Sequence, residues 1–195
     1  MKVKRGRETK VRIIEKTADL IRVQGYHATG LNQIIQESNT PKGSLYFHFP
    51  GGKEELGIAA VQSAGFAETQ KMEAVLNSEE QVGEAVKALI QMIAEELHSS
   101  AFRRGCPIAM VAVEVSATND PLRQTCEGVY QDWFTLIQKR LQKSGFALEA
   151  ANTWSMLILS SIEGALLLSR TQQSIQPLET IAKHLNQLLS RELAD

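Results

Sequence analysis

The chain has 195 residues, and its hydrophobic content of 43% is ordinary for one large or two small globular domains. No apolar run reaches the roughly 18 residues that cross a bilayer, and the charged start MKVKRGRETK is unlike a signal peptide, which predicts a cytoplasmic protein with no membrane partner. Two cysteines without a Cys/His cluster exclude a disulfide framework and argue against a metal site, and no cofactor is expected.

Charge is distributed unevenly along the chain, although the net value is only −1. Residues 1–56 carry ten Lys or Arg and six acids, whereas the remaining residues carry 11 basic and 16 acidic side chains. A basic front on an acidic body is typical of a segment that docks on phosphate. Within this front, Lys2, Lys4, Arg5 and Arg7 are predicted to form a mobile arm that follows a nucleic-acid backbone.

Helical periodicity recurs throughout the chain with almost no strand pattern, which predicts an all-α protein. The first helix, 8–24, is predicted to place Val11, Ile14, Ala18 and Ile21 on one apolar stripe and to end at Gly25. After a helical unit over 31–49, the further helices are predicted at 53–76, 79–100, 104–116, 121–144, 148–173 and 177–193.

Residues 31–49 have the layout of a helix-turn-helix, in which a short amphipathic segment is followed by a turn with a proline and a second helix. Asn39 tolerates the left-handed backbone that ends the first helix. Thr40 is expected to cap the second helix, with Pro41 at its first position. In the connector before this unit, Thr29 is placed where its hydroxyl can either cap the next helix or bind a phosphate.

The second helix of this unit combines a surface suited to DNA with a face suited to a core. Its first turn contains Lys42, Gly43 and Ser44, whose small side chains and single charge let a helix N-terminus approach phosphate closely. The longer side chains able to reach phosphates are Tyr46, His48 and Lys53. The remaining large residues are expected to pack inside: Leu45, Phe47 and Phe49.

Residues 8–56 resemble the DNA-binding domain of TetR-family transcriptional repressors. The resemblance rests on the first-helix pattern, on G-Y-x-x-T at 25–29, on K-G-S-L-Y-x-H-F at 42–49 and on K-E-E-L at 53–56. The family commonly has Gly-Val-Ser where this chain has Asn-Thr-Pro at 39–41, a departure that bears on base preference. Together with P-G-G-K at 50–53 and G-C-P at 105–107, this variant resembles the LmrA-like branch of multidrug- and flavonoid-responsive repressors.

The resemblance implies an all-helical homodimer that represses transcription by binding a palindrome in double-stranded operator DNA, and it implies no enzyme activity. It divides the chain into a helix-turn-helix domain, 1–52, and a ligand-binding and dimerisation domain, 53–195. The DNA-binding residues that it implies are Thr29, Thr40, Pro41, Lys42, Gly43, Ser44, Tyr46, His48 and Lys53. Base specificity is expected from Thr40, Pro41 and Ser44.

The segment 148–173 is apolar around most of its circumference and therefore needs burial on two sides. With 177–193 or with 121–144 it is suited to a four-helix interface between two copies of the chain. An ordinary core within one chain is the alternative.

A cavity for a small, planar, apolar effector is expected among the helices between residues 58 and 162, because Met and flat aromatic side chains suit such ligands. The candidates are Phe66, Met92, Phe102, Cys106, Met110, Trp133, Phe134 and Met156, although the same residues would also form an ordinary core. Glu114 and Glu163 join them because each is an acid in an apolar segment. A ligand hydroxyl, a ligand cation or an Arg across an interface would satisfy such an acid.

Cys106 suggests two further functions. Its neighbours Arg103 and Arg104 could activate the thiol, with His98 nearby in sequence, but no base-orienting arrangement or phosphate loop accompanies them, which argues against catalysis. An oxidant-sensing thiol is the second alternative. A structural protein that binds DNA without sequence preference remains a third class.

Overall fold

In the computed structural model, the described residues, 2–192, form nine α-helices and no strand. The helices are α1 Lys2–Gln24, α2 Leu31–Glu37, α3 Lys42–His48, α4 Gly52–Leu76, α5 Val82–Ser99, α6 Pro107–Val115, α7 Asp120–Lys143, α8 Leu148–Gln172 and α9 Gln176–Glu192. The predicted all-α class is confirmed. α1 begins at Lys2 rather than at 8, so the backbone of the predicted arm belongs to this helix. Side chains are described for residues 6–192, and those of Lys2, Lys4 and Arg5 lie outside this range.

The helices divide into two compact units. The first comprises residues 1–67 and 107–129, and the second comprises residues 68–106 and 130–195. The first unit therefore contains α6 and the start of α7 in addition to the helix-turn-helix. The predicted division at residue 52 concerns function rather than packing, and it stays a prediction.

The core of the first unit joins all four of its amino-terminal helices. Ile13, Ile34, Leu45, Phe49 and Leu56 are each at most 1% exposed and form one apolar cluster. Burying a side chain of this size contributes about 1.5–3 kcal/mol. The predicted inward direction of Leu45 and Phe49, four residues apart on α3, agrees with this cluster.

The apolar stripe predicted for α1 is partly wrong. Val11 is exposed, whereas Ile13, Thr17 and Ile21 are buried. The buried face of α1 is hard to recognise in the sequence because it includes the polar Thr17. The Thr17 hydroxyl donates to the carbonyl of Ile13 at 2.7 Å, and this bond allows it to be buried in the core.

Two of the predicted helix starts are too early by three residues. α6 begins at Pro107, a residue that suits a first helical position, rather than at 104. In the loop before it, Ala101 and Phe102 adopt left-handed backbone with φ of 51° and 60°. α5 begins at Val82 rather than at 79, because the carbonyls of the preceding turn are bound by a buried arginine.

That arginine, Arg140 on α7, closes the α4–α5 turn of the second unit. Its Nε donates to the carbonyl of Leu76 at 2.7 Å, and its Nη2 donates to the carbonyls of Glu79 at 2.9 Å and Glu80 at 2.8 Å. Its Nη1 donates to the hydroxyl of Ser144. One planar guanidinium thus satisfies three carbonyls that no helix uses.

The second unit leaves one long apolar surface uncovered. On α8, Ile158, Ile162, Ala165 and Leu166 are buried. The exposed large apolar side chains of the same helix are Leu148, Met156, Leu157, Leu167 and Leu168. An 18-residue window of α8 has a mean hydropathy of 1.2, enough by length and composition for a membrane span, yet only 28% of it is buried. The window therefore marks an apolar surface of the folded chain.

Replacing Arg140 by Ala is expected to lower the free energy of unfolding by about 2–4 kcal/mol, because several carbonyls of the turn lose their donor. Arg140→Lys should recover less than half of this loss, since an ammonium cannot span the three carbonyls. Urea unfolding measures both values. Lys139→Ala, one position along α7 and exposed, is the control. Equal midpoints for Arg140→Ala and the control would contradict the assignment.

Candidate nucleic-acid interface and effector site

The turn between α2 and α3 is defined by backbone conformation and not by a side-chain cap. Asn39 adopts the predicted left-handed conformation with φ of 47°. The N-cap of α3 is Pro41, with φ −58° and ψ 140°, and no side chain caps the helix. The prediction that Thr40 caps α3 is therefore wrong.

Thr40 instead supports the turn from inside. Its side chain is 4% exposed and its hydroxyl donates to the carbonyl of Ser38 at 3.1 Å. Arg12 of α1 donates to the same carbonyl at 2.7 Å and reaches the Thr40 hydroxyl at 3.5 Å. The hydroxyl faces protein atoms rather than solvent, which does not favour the predicted base contact. Arg12 was missed because its partners lie 26 and 28 residues away in sequence.

Thr29 has a similar supporting position. It is 1% exposed, and its hydroxyl donates to the carbonyl of Gly25 at 2.7 Å. The N-cap of α2 is Gly30, without a side-chain hydrogen bond, so the predicted capping by Thr29 is wrong. The hydroxyl closes the α1–α2 loop and does not point outward to a phosphate.

The outer face of α3 presents the remaining predicted residues. Pro41, Lys42, Gly43 and Tyr46 are exposed, and Ser44 and His48 are half-buried. A Cβ on Gly43 would meet nothing within 4 Å. The helix therefore offers an open start with one positive charge and an aromatic ring one turn further along.

Phe47 also belongs to this outer face. The expectation that it packs in the core is wrong, because its side chain is 79% exposed, with its ring edge-to-face on His48 at 5.1 Å. The i, i+4 pair that points inward is Leu45 and Phe49, and Phe47 lies between them on the opposite side of the helix. The i, i+4 spacing of Leu45 and Phe49 was the sequence signal that could have placed Phe47 on the outer face.

Lys53 is engaged with the α1–α2 loop. Its Nζ donates to the carbonyl of His27 at 3.0 Å and lies 4.7 Å from the centre of the Tyr26 ring. Burial lowers the pKa of Lys53, while the nearby carboxylate of Glu114 acts in the opposite direction. Its predicted contact with phosphate would require these bonds to be shared or exchanged.

Glu114, predicted as an effector ligand, binds the same loop. Its Oε2 accepts the backbone N–H of His27 at 2.6 Å. Gly25 has φ of 87°, and a Cβ there would overlap Glu114 Oε1. The acid of α6 thus sits directly against a glycine that no other residue type can replace without strain. Its partner is a backbone amide of the first unit and not an arginine.

The other effector candidates are dispersed. Phe66 and Met156 are 66% and 59% exposed and contribute nothing to the interior of the chain. Phe102 is half-buried, and its ring lies edge-to-face with His98 at 5.8 Å. The half-buried residues Met92, Phe134 and Met110 complete this set. Met110 lies in the first unit and the other two lie in the second.

Three candidates, Cys106, Trp133 and Glu163, do come together, in the second unit. They meet around Tyr130 of α7, which sequence reasoning missed. The Tyr130 hydroxyl donates to Glu163 Oε1 at 3.3 Å, and the Cys106 thiol is also hydrogen-bonded to this carboxylate. The rings of Tyr130 and Trp133 are edge-to-face at 5.5 Å. We call Cys106, Tyr130, Trp133 and Glu163 the Glu163 cluster.

Both cysteines are buried. Burial raises the pKa of Cys126 to about 11. The thiol of Cys106 faces the Glu163 carboxylate, and a neighbouring negative charge disfavours a thiolate. Neither environment is typical of an activated or oxidant-sensing cysteine.

Comparison with known proteins agrees with this geometry. Residues 13–60 match the family described as bacterial regulatory proteins, tetR family, and residues 83–184 match the one described as transcriptional regulator LmrA/YxaF-like, C-terminal domain. The chain belongs to the TetR family. The resemblance to the LmrA-like branch is thereby confirmed.

Individual TetR-family relatives span nearly the whole chain. The HTH-type transcriptional regulator YxaF of Bacillus subtilis is 36% identical over 185 residues, which cover 95% of this chain and 97% of YxaF. LmrA of the same organism is 34% identical over 184 residues, with coverages of 94% and 98%. The crystal structure of a TetR transcriptional regulator from Chloroflexus aurantiacus has a TM-score of 0.80 and 28% identity, over 96% of each chain. These relatives are transcriptional regulators and not enzymes.

Gly25→Ala is expected to destabilise the protein by about 2 kcal/mol or more, because an alanine would be strained at this φ and would collide with Glu114. Gly128→Ala, on α7 with no atom within 4 Å of its Cβ, should be neutral or stabilising. In a double-mutant cycle, Glu114→Ala should relieve the collision with the alanine at position 25 but should not relieve its backbone strain. Chemical unfolding measures the coupling, and strictly additive losses would refute the contact.

Proposed function

We propose that this TetR-family regulator is a homodimeric repressor that binds a palindromic operator and is released by a small effector molecule. The main support for this proposal is the outer face of α3, which lies over a packed core and has four exposed residues: Lys42, Gly43, Tyr46 and Phe47. A recognition helix that enters the major groove needs a fixed position, an accessible N-terminus and side chains long enough to reach the DNA.

The side chains on this face divide into two roles. Lys42 at the helix start and Tyr46 and His48 further along are placed to contact phosphates, which set affinity without reading sequence. Pro41, Gly43, Ser44 and Phe47 carry the apolar or small surfaces that can contact base edges, including the methyl group of thymine. Thr29 and Thr40 hold the loop and the turn behind this face, so they support the contacts indirectly.

Dimerisation is supported by the uncovered surface of α8. Leu167 and Leu168, with Met156 and Leu157, form an exposed apolar row in the second unit, and Leu188 of α9 is exposed as well. A row of this size needs a partner, because soluble monomers rarely expose continuous apolar surface. A second copy of the chain meets this need and supplies the two heads that a palindrome requires.

These surfaces support a functional division of the chain. Residues 1–52 bind DNA, and residues 53–195 hold the effector and join the two copies. The relatives are bacterial transcriptional regulators, which supports a cytoplasmic location for this chain.

Selection of bound duplexes from a random pool by the purified protein tests the proposal. The expected product is a two-fold symmetric sequence with half-sites separated by one or more helical turns. A panel of small aromatic compounds added to the selected complex should contain at least one that releases it. If no sequence is enriched, the protein is a nonspecific DNA-binding protein and the proposal fails.

On the selected duplex, Lys42→Ala serves as the test of the interface. It should weaken binding to specific and random duplexes alike and reduce the salt dependence by about one unit of slope, because one phosphate contact is lost. Lys87→Ala, on α5 of the second unit, should leave the slope unchanged. An unaltered slope for Lys42→Ala would show that Lys42 does not contact phosphate in the DNA interface.

Leu167→Glu should convert the dimer into a monomer, because a charge placed in an apolar interface has no partner there. The folded chain itself should tolerate the change, since the side chain is 66% exposed. Analytical ultracentrifugation measures the mass. Val113→Glu, which alters an apolar and still more exposed residue of α6, is the control. A Leu167→Glu protein that remains dimeric would exclude this surface of α8 from the interface.

A further inference from the structure

Glu163 has no positively charged partner among the described side chains that contact it. Glu163 is a half-buried carboxylic acid in the middle of α8, and three segments of the second unit face it or its partner. Tyr130 of α7 and Cys106, the residue before α6, are both hydrogen-bonded to its carboxyl group. Thr69 of α4 accepts a hydrogen bond from Trp133, which lies next to Tyr130. A polar group enclosed by helices costs stability unless its hydrogen bonds and its charge are met.

The hydrogen bonds of Glu163 are met only in part. An ionised carboxylate offers about four acceptor positions, whereas its two partners are a phenol and a thiol, each with a single hydrogen to donate. The phenol bond is long, at 3.3 Å. Both partners are uncharged near neutral pH, and burial raises the pKa of Tyr130 still further. The positive charge that would balance an ionised Glu163 is therefore not supplied by either contact.

Burial and hydrogen bonding act on Glu163 in opposite directions. Burial raises the pKa of Glu163, and the bonds from Cys106 and Tyr130 only partly offset it. A positive charge placed against the carboxylate would favour its ionised form and complete the balance. Glu163 and Tyr130 both keep part of their surface accessible, whereas Trp133 is 4% exposed.

The aromatic neighbours indicate what kind of cation fits. Tyr130 and Trp133 stand edge-to-face, and the indole N–H of Trp133 donates to the Thr69 hydroxyl at 3.0 Å, which fixes the orientation of that ring. Electron-rich ring faces attract cations, and flat rings pack against flat ligands. An aliphatic ammonium would use the carboxylate alone, whereas an aromatic cation can use the carboxylate and the rings together.

We propose that Glu163 anchors the positive charge of an aromatic organic cation, whose flat body packs beside Tyr130 and Trp133. The inference rests on the proposed function, in that a small effector binds the second unit, and it specifies the charge of that effector. It selects the ligand cation from the three partners that the sequence left open for this acid, and it adds a charge to the planar apolar molecule expected there. The Cys106 thiol acts here as a hydrogen-bond partner and not as a reactive group.

Isothermal titration of the full-length protein with N-methylquinolinium and with 2-naphthol tests the charge. Both probes have two fused rings; the first carries a permanent positive charge, and the second is uncharged with a hydroxyl donor. Glu163→Gln keeps an acceptor oxygen but removes the negative charge. It should weaken N-methylquinolinium binding tenfold or more and 2-naphthol binding less than threefold.

Glu149→Gln, which changes an exposed acid of the same helix, is the control and should leave both affinities unchanged. Three results would overturn the inference: undetectable binding of N-methylquinolinium to the unaltered protein, equal affinities for this probe in the unaltered and Glu163→Gln proteins, or equal losses for the two probes. Each of them would show that the charge of Glu163 is not what the ligand contacts.

A pH series on the unaltered protein tests the same site without a substitution. Because the probe cannot titrate, its affinity should rise as the pH increases above 4.5, the ordinary pKa of a glutamate, and Glu163 loses its proton; it should be independent of pH in Glu163→Gln. The facing groups are Cys106 and Tyr130, and burial raises the pKa of Tyr130, which therefore keeps its proton throughout the series. A flat profile for the unaltered protein would overturn the inference whether or not the variant folds.

Operator release separates this inference from the proposed function. Binding of N-methylquinolinium through Glu163 without release of the selected duplex would support the anchor and contradict the effector-released repressor. Release of the duplex by uncharged compounds, unaffected by Glu163→Gln, would support the repressor and overturn the anchor.

Discussion

The seven-residue helix α3 depends on the core behind it. A helix of two turns has little stability in water by itself, so its position must come from packing. Leu45 and Phe49 provide that packing by joining Ile13, Ile34 and Leu56 in one buried cluster. Because this inward pair fixes the rotation of the helix, the open side with Lys42, Tyr46 and Phe47 is fixed as well, and the proposed DNA-binding surface depends on it.

Two acids in apolar segments have different positions in the structure. Glu114 belongs to the first unit, where the His27 amide and the Gly25 backbone meet its carboxylate and tie α6 to the α1–α2 loop. Glu163 belongs to the second unit and has only a phenol and a thiol against it. The first acid is satisfied by the fold, which suits a structural role. The second has no counter-charge among the described side chains that contact it, which is the feature on which the proposed ligand anchor rests.

The sequence predicted the helices well because amphipathic periodicity and turn residues are local signals. The α2 bounds, the glycine that ends α1, the left-handed Asn39 and the inward pair of α3 all follow from such signals. The start of α5 could not be predicted this way. It depends on Arg140, whose three carbonyl partners lie 60 to 64 residues away.

The sequence alone therefore determined the all-α fold, the helix-turn-helix and the TetR-family membership, since each depends on short-range spacing. Only the tertiary structure decided which polar side chains face solvent. Thr29 and Thr40 occupy motif positions at which DNA contact was expected, yet both turn inward to carbonyls, whereas the apolar Phe47 turns outward. The reason is that a side chain's partner is chosen by packing between helices distant in sequence, and residue type by itself does not reveal that choice.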